Sequence, residues 1–139
     1  MPVMALANIG CTPKSSKPKD SKVEEQTNGN KVVLLNVNSF EEAISSNPNA
    51  QLVDVRTPEE FNKGHLKGAL NINYQGNDFT TEIAKLDKTK RTYVYCQSGG
   101  RSSEACNYMS NQDFSKLYDL DGGFSAWSHY NKPIEIQQE

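Results

Sequence analysis

The sequence predicts one α/β domain built on a five-stranded parallel sheet, with helices on both faces. Three observations predict this fold class. Runs of β-branched and apolar residues alternate along the chain with segments of helical pattern. The connections between the apolar runs are too long for hairpins, which favours parallel pairing. The length of 139 residues suits one domain with a single hydrophobic core.

The first elements of the predicted domain, which covers residues 32–137, are two strands and a short helix. The strand VVLLNV (32–37) is rich in β-branched residues. We expect Ser39 to cap the helix that follows, with acidic residues in its first turn. The second strand, AQLVDVR (50–56), is largely apolar, as expected of a parallel strand that helices cover on both sides.

A helix start signal follows the second strand. Thr57 is the predicted N-cap, Pro58 occupies the first helical position, and Glu60 completes a capping box. The remaining elements are predicted as strand, helix, strand, helix, strand and helix over residues 69–73, 79–87, 91–96, 101–112, 115–120 and 122–130.

Residues 1–31 differ in composition from the predicted domain. Residues 1–11, MPVMALANIGC, are apolar and end in small residues before Cys11. Residues 12–31 consist mainly of Pro, Ser, Lys and acidic residues, which predicts a flexible tether. Together they are similar to the end of a bacterial lipoprotein signal, which would place the protein in the periplasm or on a membrane through a lipid on Cys11. A plain terminal segment of a cytoplasmic protein is the alternative interpretation.

Composition and charge argue against several classes of partner. The net charge is −2 and no basic stripe is present, so no nucleic-acid partner is predicted. No apolar run approaches the roughly 20 residues of a membrane-spanning helix. The three cysteines, Cys11, Cys96 and Cys106, are an odd number, which argues against a disulfide framework and favours a monomer. No metal or organic cofactor is predicted.

The segment YVYCQSGGRSSEA (93–105) places Cys96 between a predicted strand and a predicted helix. The first amides of a helix have no internal partner and carry positive partial charge. Gly99 and Gly100 allow the loop to turn successive amides inward, and Arg101 adds a cation nearby. Such surroundings favour a thiolate, which is the nucleophilic form of cysteine. The sequence therefore predicts a reactive Cys96, and a small buried core cysteine is the alternative.

A thiolate in an amide loop can attack either phosphorus or a sulfane sulfur, and the loop alone leaves both open. Three segments of the chain bear on this choice, namely LVDVRTPEEFNKGHLKGALNIN (52–73), VYCQSGGRSSEA (94–105) and LYDLDGGFSAW (117–127). In this order they resemble the segments of single-domain rhodaneses, including the small periplasmic phage-shock type. The resemblance extends from about residue 32 to residue 136, which is nearly all of the predicted domain.

The resemblance implies a sulfurtransferase in which Cys96 forms a persulfide. The backbone amides that would hold its outer sulfur belong to Gln97, Ser98, Gly99, Gly100, Arg101 and Ser102. The donor would be thiosulfate or a persulfide, and the acceptor a thiol or a protein. The loop length favours sulfur over phosphorus, because the related dual-specificity phosphatases have one residue more. The alternatives are a non-catalytic binding module and a phosphatase or arsenate reductase.

Four further residues have both a functional and a structural interpretation. The resemblance suggests that Asp54 and Arg56 support the edge of the pocket, while the plainer interpretation is an ion pair that fixes loops. His65 is predicted to hold the loop before the third strand and not to act as a base. Cys106 is predicted to be a packed core thiol, and a resolving cysteine for Cys96 is the alternative.

Overall fold

A computed structural model describes residues 26–27 and 32–137. This part of the chain forms, in order, β1 (Gln26–Thr27), β2 (Val32–Leu35), α1 (Val37–Ser46), β3 (Gln51–Asp54), α2 (Pro58–Lys63), β4 (Leu70–Asn71), α3 (Phe79–Ala84), β5 (Thr92–Tyr95), α4 (Gly100–Ser110), β6 (Leu117–Leu120) and α5 (Gly123–His129). None of these helices is long and apolar enough to cross a membrane. Cys11 and most of the predicted tether lie outside the described residues.

The strands form one sheet in the order β1-β2-β6-β5-β3-β4. The five strands from β2 to β6 are parallel, which confirms the predicted fold class. The exception is β1, which pairs antiparallel with β2 at the edge of the sheet. Gln26 and Thr27 belong to the segment predicted as a flexible tether, and the structure instead places them in a strand. Two residues are too few to show the alternation of a strand in the sequence.

Helices cover the sheet on both faces, as the alternating pattern predicted. On one face, Ile83 of α3 and Met109 of α4 pack in a cluster that includes Cys96. On the other face, Phe40 of α1 and Trp127 of α5 pack in a second cluster. The central strand β5 is buried along its whole length, which explains its continuous apolar character.

The predicted start of α2 is confirmed. The Thr57 side chain accepts a hydrogen bond from the Glu60 N–H over 3.2 Å, and the Thr57 N–H donates to Glu60 Oε1 over 3.0 Å. Pro58 is the first helical residue. This capping box ends the connection from β3 at a defined point.

The predicted start of α1 is wrong. The N-cap is Asn36, whose Oδ1 accepts a hydrogen bond from the Ser39 N–H over 2.8 Å, and the helix begins at Val37. Because the helix starts earlier, its first turn contains no acidic residue. Val37 is buried, so an apolar residue that looked like the end of a strand instead anchors the first turn of the helix in the core.

Candidate active site

Cys96 lies directly after β5, at the carboxyl end of the parallel sheet. β5 runs between β3 and β6, so the loop that follows it emerges near the middle of the sheet. Open α/β sheets bind ligands at this edge. Cys96 is 1% exposed and belongs to the apolar cluster that includes Ile83 and Met109.

The loop after Cys96 provides an amide hydrogen bond to the sulfur. The Gly99 N–H donates to Cys96 Sγ over 3.0 Å. Gly99 has φ +119°, a left-handed conformation that favours glycine and starts α4. The amides of Gly100, Arg101 and Ser102 precede the first intrahelical hydrogen bond of α4 and remain available to a ligand. That these amides hold the outer sulfur of a persulfide stays a prediction.

The first residues of α5 hold the carbonyl groups of the loop. The Phe124 N–H donates to the Cys96 carbonyl over 2.8 Å, and the Ser125 N–H donates to the Gln97 carbonyl over 2.9 Å. A trans peptide is planar and points its N–H away from its C=O. Because α5 holds these carbonyls on one side, the N–H groups of the same peptides point to the other side.

The predicted ion pair of Asp54 and Arg56 is present and buried. Arg56 Nη2 lies 2.7 Å from Asp54 Oδ2, and the two side chains are 2% and 0% exposed. Arg56 also donates to Gln97 Oε1 over 3.0 Å and to the Gly64 carbonyl over 2.6 Å. Its guanidinium carbon lies 4.3 Å from the centre of the Phe124 ring. The pair therefore connects the end of β3 to the Cys96 loop and to α5.

Arg101 is directed toward α2 and not toward the sulfur. Its guanidinium donates to both carboxylate oxygens of Glu60, over 2.8 and 3.0 Å. These hydrogen bonds, with those from Thr57, lower the pKa of Glu60 to about 2. Sequence reasoning used Glu60 only as a capping residue, and nothing local indicated this second partner.

His65 has a structural environment. Its Nδ1 lies 2.9 Å from the Phe61 carbonyl, and its ring stacks on the Phe61 ring with centroids 3.8 Å apart. Its backbone forms a two-way bridge with Glu135, over 2.8 and 2.7 Å. These contacts fit the predicted role in holding the loop before β4.

Cys106 is fully buried on α4, as predicted for a core thiol. It belongs to the same apolar cluster as Met109 and Phe114. Burial raises the pKa of the Cys106 thiol well above its usual range. Both features keep Cys106 protonated and unreactive in the folded protein.

A buried hydrogen bond joins Ser102 to Asp119 behind the Cys96 sulfur. Ser102 Oγ donates to Asp119 Oδ1 over 2.6 Å, and it lies 3.5 Å from Cys96 Sγ. Burial raises the pKa of Asp119 to about 7. Sequence reasoning missed Asp119, although the alternation of β6 places this polar residue on the buried face that also carries Leu117.

The described residues offer no group of three or more His, Cys, Asp or Glu side chains that could hold a metal ion. A groove of about 330 Å³ lies along α1 and the 66–68 loop, but its lining includes none of the predicted site residues. The chemistry of the site therefore depends on the Cys96 loop and the side chains packed against it.

Comparison with known proteins identifies the family. Residues 36–130 match the rhodanese-like domain family. The chain is 40% identical over 81 residues to thiosulfate sulfurtransferase GlpE of Shewanella oneidensis, covering 58% of this chain and 78% of that protein. It is 37% identical over 101 residues to thiosulfate sulfurtransferase GlpE of Vibrio cholerae, covering 73% of this chain and 92% of that protein.

Solved structures show the same fold. The crystal structure of a rhodanese-like domain protein from Staphylococcus aureus superposes with a TM-score of 0.66 at 23% sequence identity, covering 76% of this chain and 98% of that one. The superposition shows that the two chains share one fold. This chain belongs to the rhodanese-like domain family, which confirms the predicted family and its class of activity, sulfur transfer.

Proposed function

We propose that this protein transfers a sulfane sulfur from thiosulfate or a small persulfide to a thiol, a protein or cyanide, with Cys96 as the carrier. The observation that carries the proposal is the position of the Cys96 sulfur at the carboxyl end of β5, where it accepts the Gly99 N–H over 3.0 Å. Relatives named thiosulfate sulfurtransferase support the choice of donor.

In the first half-reaction the Cys96 thiolate attacks the outer sulfur of the donor. A new S–S bond forms at Cys96 while the S–S bond of thiosulfate breaks, and sulfite leaves with the bonding electron pair. The product is a persulfide anion on Cys96. The amide groups at the start of α4 would stabilise its terminal charge, because they are fixed in place before the charge develops.

In the second half-reaction a thiophilic acceptor removes the outer sulfur. Its carbon or sulfur forms a bond to the outer sulfur of the persulfide, and the persulfide S–S bond breaks. The electron pair returns to Cys96 Sγ and regenerates the thiolate. The reaction needs no external oxidant and no general base, which is consistent with the structural surroundings of His65.

Charge around the loop bears on the donor. Both arginines beside the loop already have carboxylate partners, Arg56 with Asp54 and Arg101 with Glu60. A dianion such as thiosulfate gains less from a paired arginine than from an unpaired one. This arrangement favours a donor of low charge, such as a small persulfide, alongside thiosulfate.

The test is to incubate the protein with thiosulfate, with and without cyanide, beside a Cys96→Ser variant. We expect thiocyanate from the wild type and none from Cys96→Ser, and without cyanide the wild-type peptide that contains Cys96 should gain the mass of one sulfur atom. A Cys106→Ala variant is the matched control, since it removes a thiol outside the loop. Release of phosphate from an aryl phosphate with no thiocyanate would instead indicate a phosphatase. If neither reaction occurs and Cys96 gains no sulfur, a binding module is indicated.

A separate proposal concerns the location. We propose that Cys11 carries a lipid and anchors the domain, as a monomer, on the periplasmic side of a membrane. The support is the sequence alone, namely small residues before Cys11 and the polar residues 12–31 after it. Cell fractionation of the wild type and a Cys11→Ser variant tests it. Wild-type protein in the cytoplasmic fraction would contradict the proposal, and equilibrium sedimentation tests the monomer.

A further inference from the structure

The Ser102 hydroxyl lies between the nucleophile and a buried carboxyl group. Its oxygen is 3.5 Å from Cys96 Sγ and 2.6 Å from Asp119 Oδ1. The three residues are 0–2% exposed, so bulk water does not compete for these contacts. Cys96 directly follows β5, Ser102 lies in the first turn of α4 and Asp119 lies on β6, so the sheet and helix hold the three side chains together.

A serine hydroxyl has a single hydrogen to donate. When Asp119 is ionised, its carboxylate accepts that hydrogen, and Ser102 presents only lone pairs to the sulfur. A lone pair facing Cys96 suits a thiol, which can donate, and repels a thiolate. When Asp119 is neutral, its own O–H can donate to Ser102 Oγ, and the hydrogen of Ser102 is released from the carboxylate. It can then turn to the Gly99 carbonyl, 3.3 Å away, or to the sulfur, and a sulfur anion is the charged acceptor of the two. A hydrogen bond donated to an anion is among the stronger protein hydrogen bonds.

We propose that Asp119 is a positioning residue for sulfur transfer: in its neutral form it turns the Ser102 hydrogen toward the sulfur anion of Cys96. The inference deepens the proposed function, because it rests on Cys96 as the nucleophile. No bond to sulfur forms or breaks in this step. Asp119 only gains or loses its own proton, and the Ser102 hydrogen changes partner.

The surroundings of Asp119 keep both of its forms accessible. Burial first, and then the charge of Asp121, raise the pKa of Asp119 to about 7. The other titratable groups near it are Cys106 on α4, whose thiol feels the charge of Asp119, and Cys96 on the far side of the Ser102 hydroxyl. The neighbouring strands place only Leu34 and Val94 beside it. No ion pair in residues 32–137 includes Asp119, so its ionised form lacks a cationic partner.

The test compares the rate at which iodoacetamide modifies Cys96 between acidic and alkaline pH, measured on the isolated peptide by mass spectrometry. The variants are Asp119→Asn, Ser102→Ala and the double variant. Asparagine at 119 has the shape of aspartate and can always donate to Ser102. We therefore expect the rate of Cys96 modification in the wild type to change with pH in two steps, one of which comes from Asp119. Asp119→Asn should show a single step, and above neutral pH its Cys96 should be modified about fivefold faster than in the wild type. In the Ser102→Ala background the same substitution should change the rate less than about twofold.

Two results would overturn the proposal. One is a profile for Asp119→Asn that is the same as that of the wild type. The other is an equal effect of Asp119→Asn with and without the Ser102 hydroxyl, which would indicate that the charge of Asp119 acts on Cys96 directly and not through Ser102. Asp78→Asn makes the same chemical change at an exposed position and should keep the wild-type profile. Loading of Cys96 by thiosulfate is measured in parallel. If the rates behave as expected but no sulfur is loaded, the control of the Cys96 sulfur by Asp119 through Ser102 stands and the proposed sulfur transfer fails.

Discussion

Gly123 lies so close to Cys96 that a Cβ atom at position 123 would be 2.6 Å from the Cys96 carbonyl oxygen. The same atom would be 2.6 Å from the Gln97 carbonyl oxygen, and both neighbours are backbone, which cannot rotate away. Gly123 also has φ +62°, in the left-handed region. The first turn of α5 can therefore bond the loop carbonyls only if residue 123 has no side chain.

Gly123→Ala should disturb the loop and not merely the turn. We expect a loss of about 2–4 kcal/mol in the free energy of unfolding, and at least a tenfold loss of thiocyanate formation, because the clash displaces the Cys96 peptide. Gly68→Ala is the matched control, since Gly68 has φ +83° but a Cβ atom there would meet no other atom within 4 Å. That control should lose about 1 kcal/mol and keep its activity. Equal effects of the two substitutions would contradict the role given to Gly123.

Arg56→Met should destabilise the protein strongly. It leaves Asp54 as a buried carboxylate without its cation and removes the donors to Gln97 and Gly64. Breaking one side of a buried pair costs about 3–5 kcal/mol, and we expect a loss in that range by urea denaturation. Lys85→Met breaks an exposed pair with Glu82 and should change the stability by less than about 1 kcal/mol. A small effect at Arg56 would mean that Asp54 finds other partners.

Glu60→Gln should increase the use of thiosulfate. Glutamine can still complete the capping box of α2, so the substitution mainly removes the charge that pairs with Arg101. The unpaired guanidinium then raises the positive potential beside the loop. We expect the KM for thiosulfate to fall about threefold at low salt and the difference to shrink as salt is added. Glu59→Gln, one residue away and exposed, should leave the KM unchanged.

Asp119→Asn should stabilise the folded protein at alkaline pH. The pKa of Asp119 is raised from 3.8 to about 7 in the folded state, so folding favours its neutral form. That contribution is fully present below the unfolded pKa and is lost as the pH rises through about 7. The variant cannot ionise and avoids this loss. Between acidic and alkaline buffers, its stability relative to the wild type should improve on the order of 2–4 kcal/mol. A difference independent of pH would show that the carboxyl group of Asp119 titrates normally.

Cys106 should stay unmodified while the protein is folded. Its thiol is fully buried and has a raised pKa, so both access and the thiolate form are lacking. We expect iodoacetamide to label Cys106 only after denaturation, and mild peroxide to produce no disulfide between Cys96 and Cys106. Cys106→Ala should retain sulfur transfer within about twofold. Detection of that disulfide in native protein would instead support a resolving role.

Much of the fold was predictable because its signals are local. The capping box of α2 lies within four consecutive residues, and the buried strand β5 reads as a continuous apolar run. The start of α1 was missed because Asn36 and Ser39 are both good N-cap residues three positions apart, and local pattern cannot choose between them. The tertiary burial of Val37 decides the choice.

The candidate site divides in the same way. The strand, loop and helix around Cys96 are continuous in sequence, so a reactive thiol could be predicted from one segment. The contacts that support it join distant positions. Glu60 and Arg101 are 41 residues apart, and Ser102 and Asp119 are 17 apart. The periodicity of the sequence cannot predict such pairs, because they form only when the sheet brings the ends of different strands together.

The antiparallel pairing of β1 determines the edge of the sheet at which the chain enters the domain. Gln26 lies opposite Leu34 and Thr27 opposite Val33, so the chain enters β1 at the edge where the parallel strands finish. That edge also carries Cys96, three strand spacings away, or about 14 Å. A bulky group joined directly before Gln26 would thus lie on the same side of the sheet as arriving sulfur compounds and would crowd their route to the thiol.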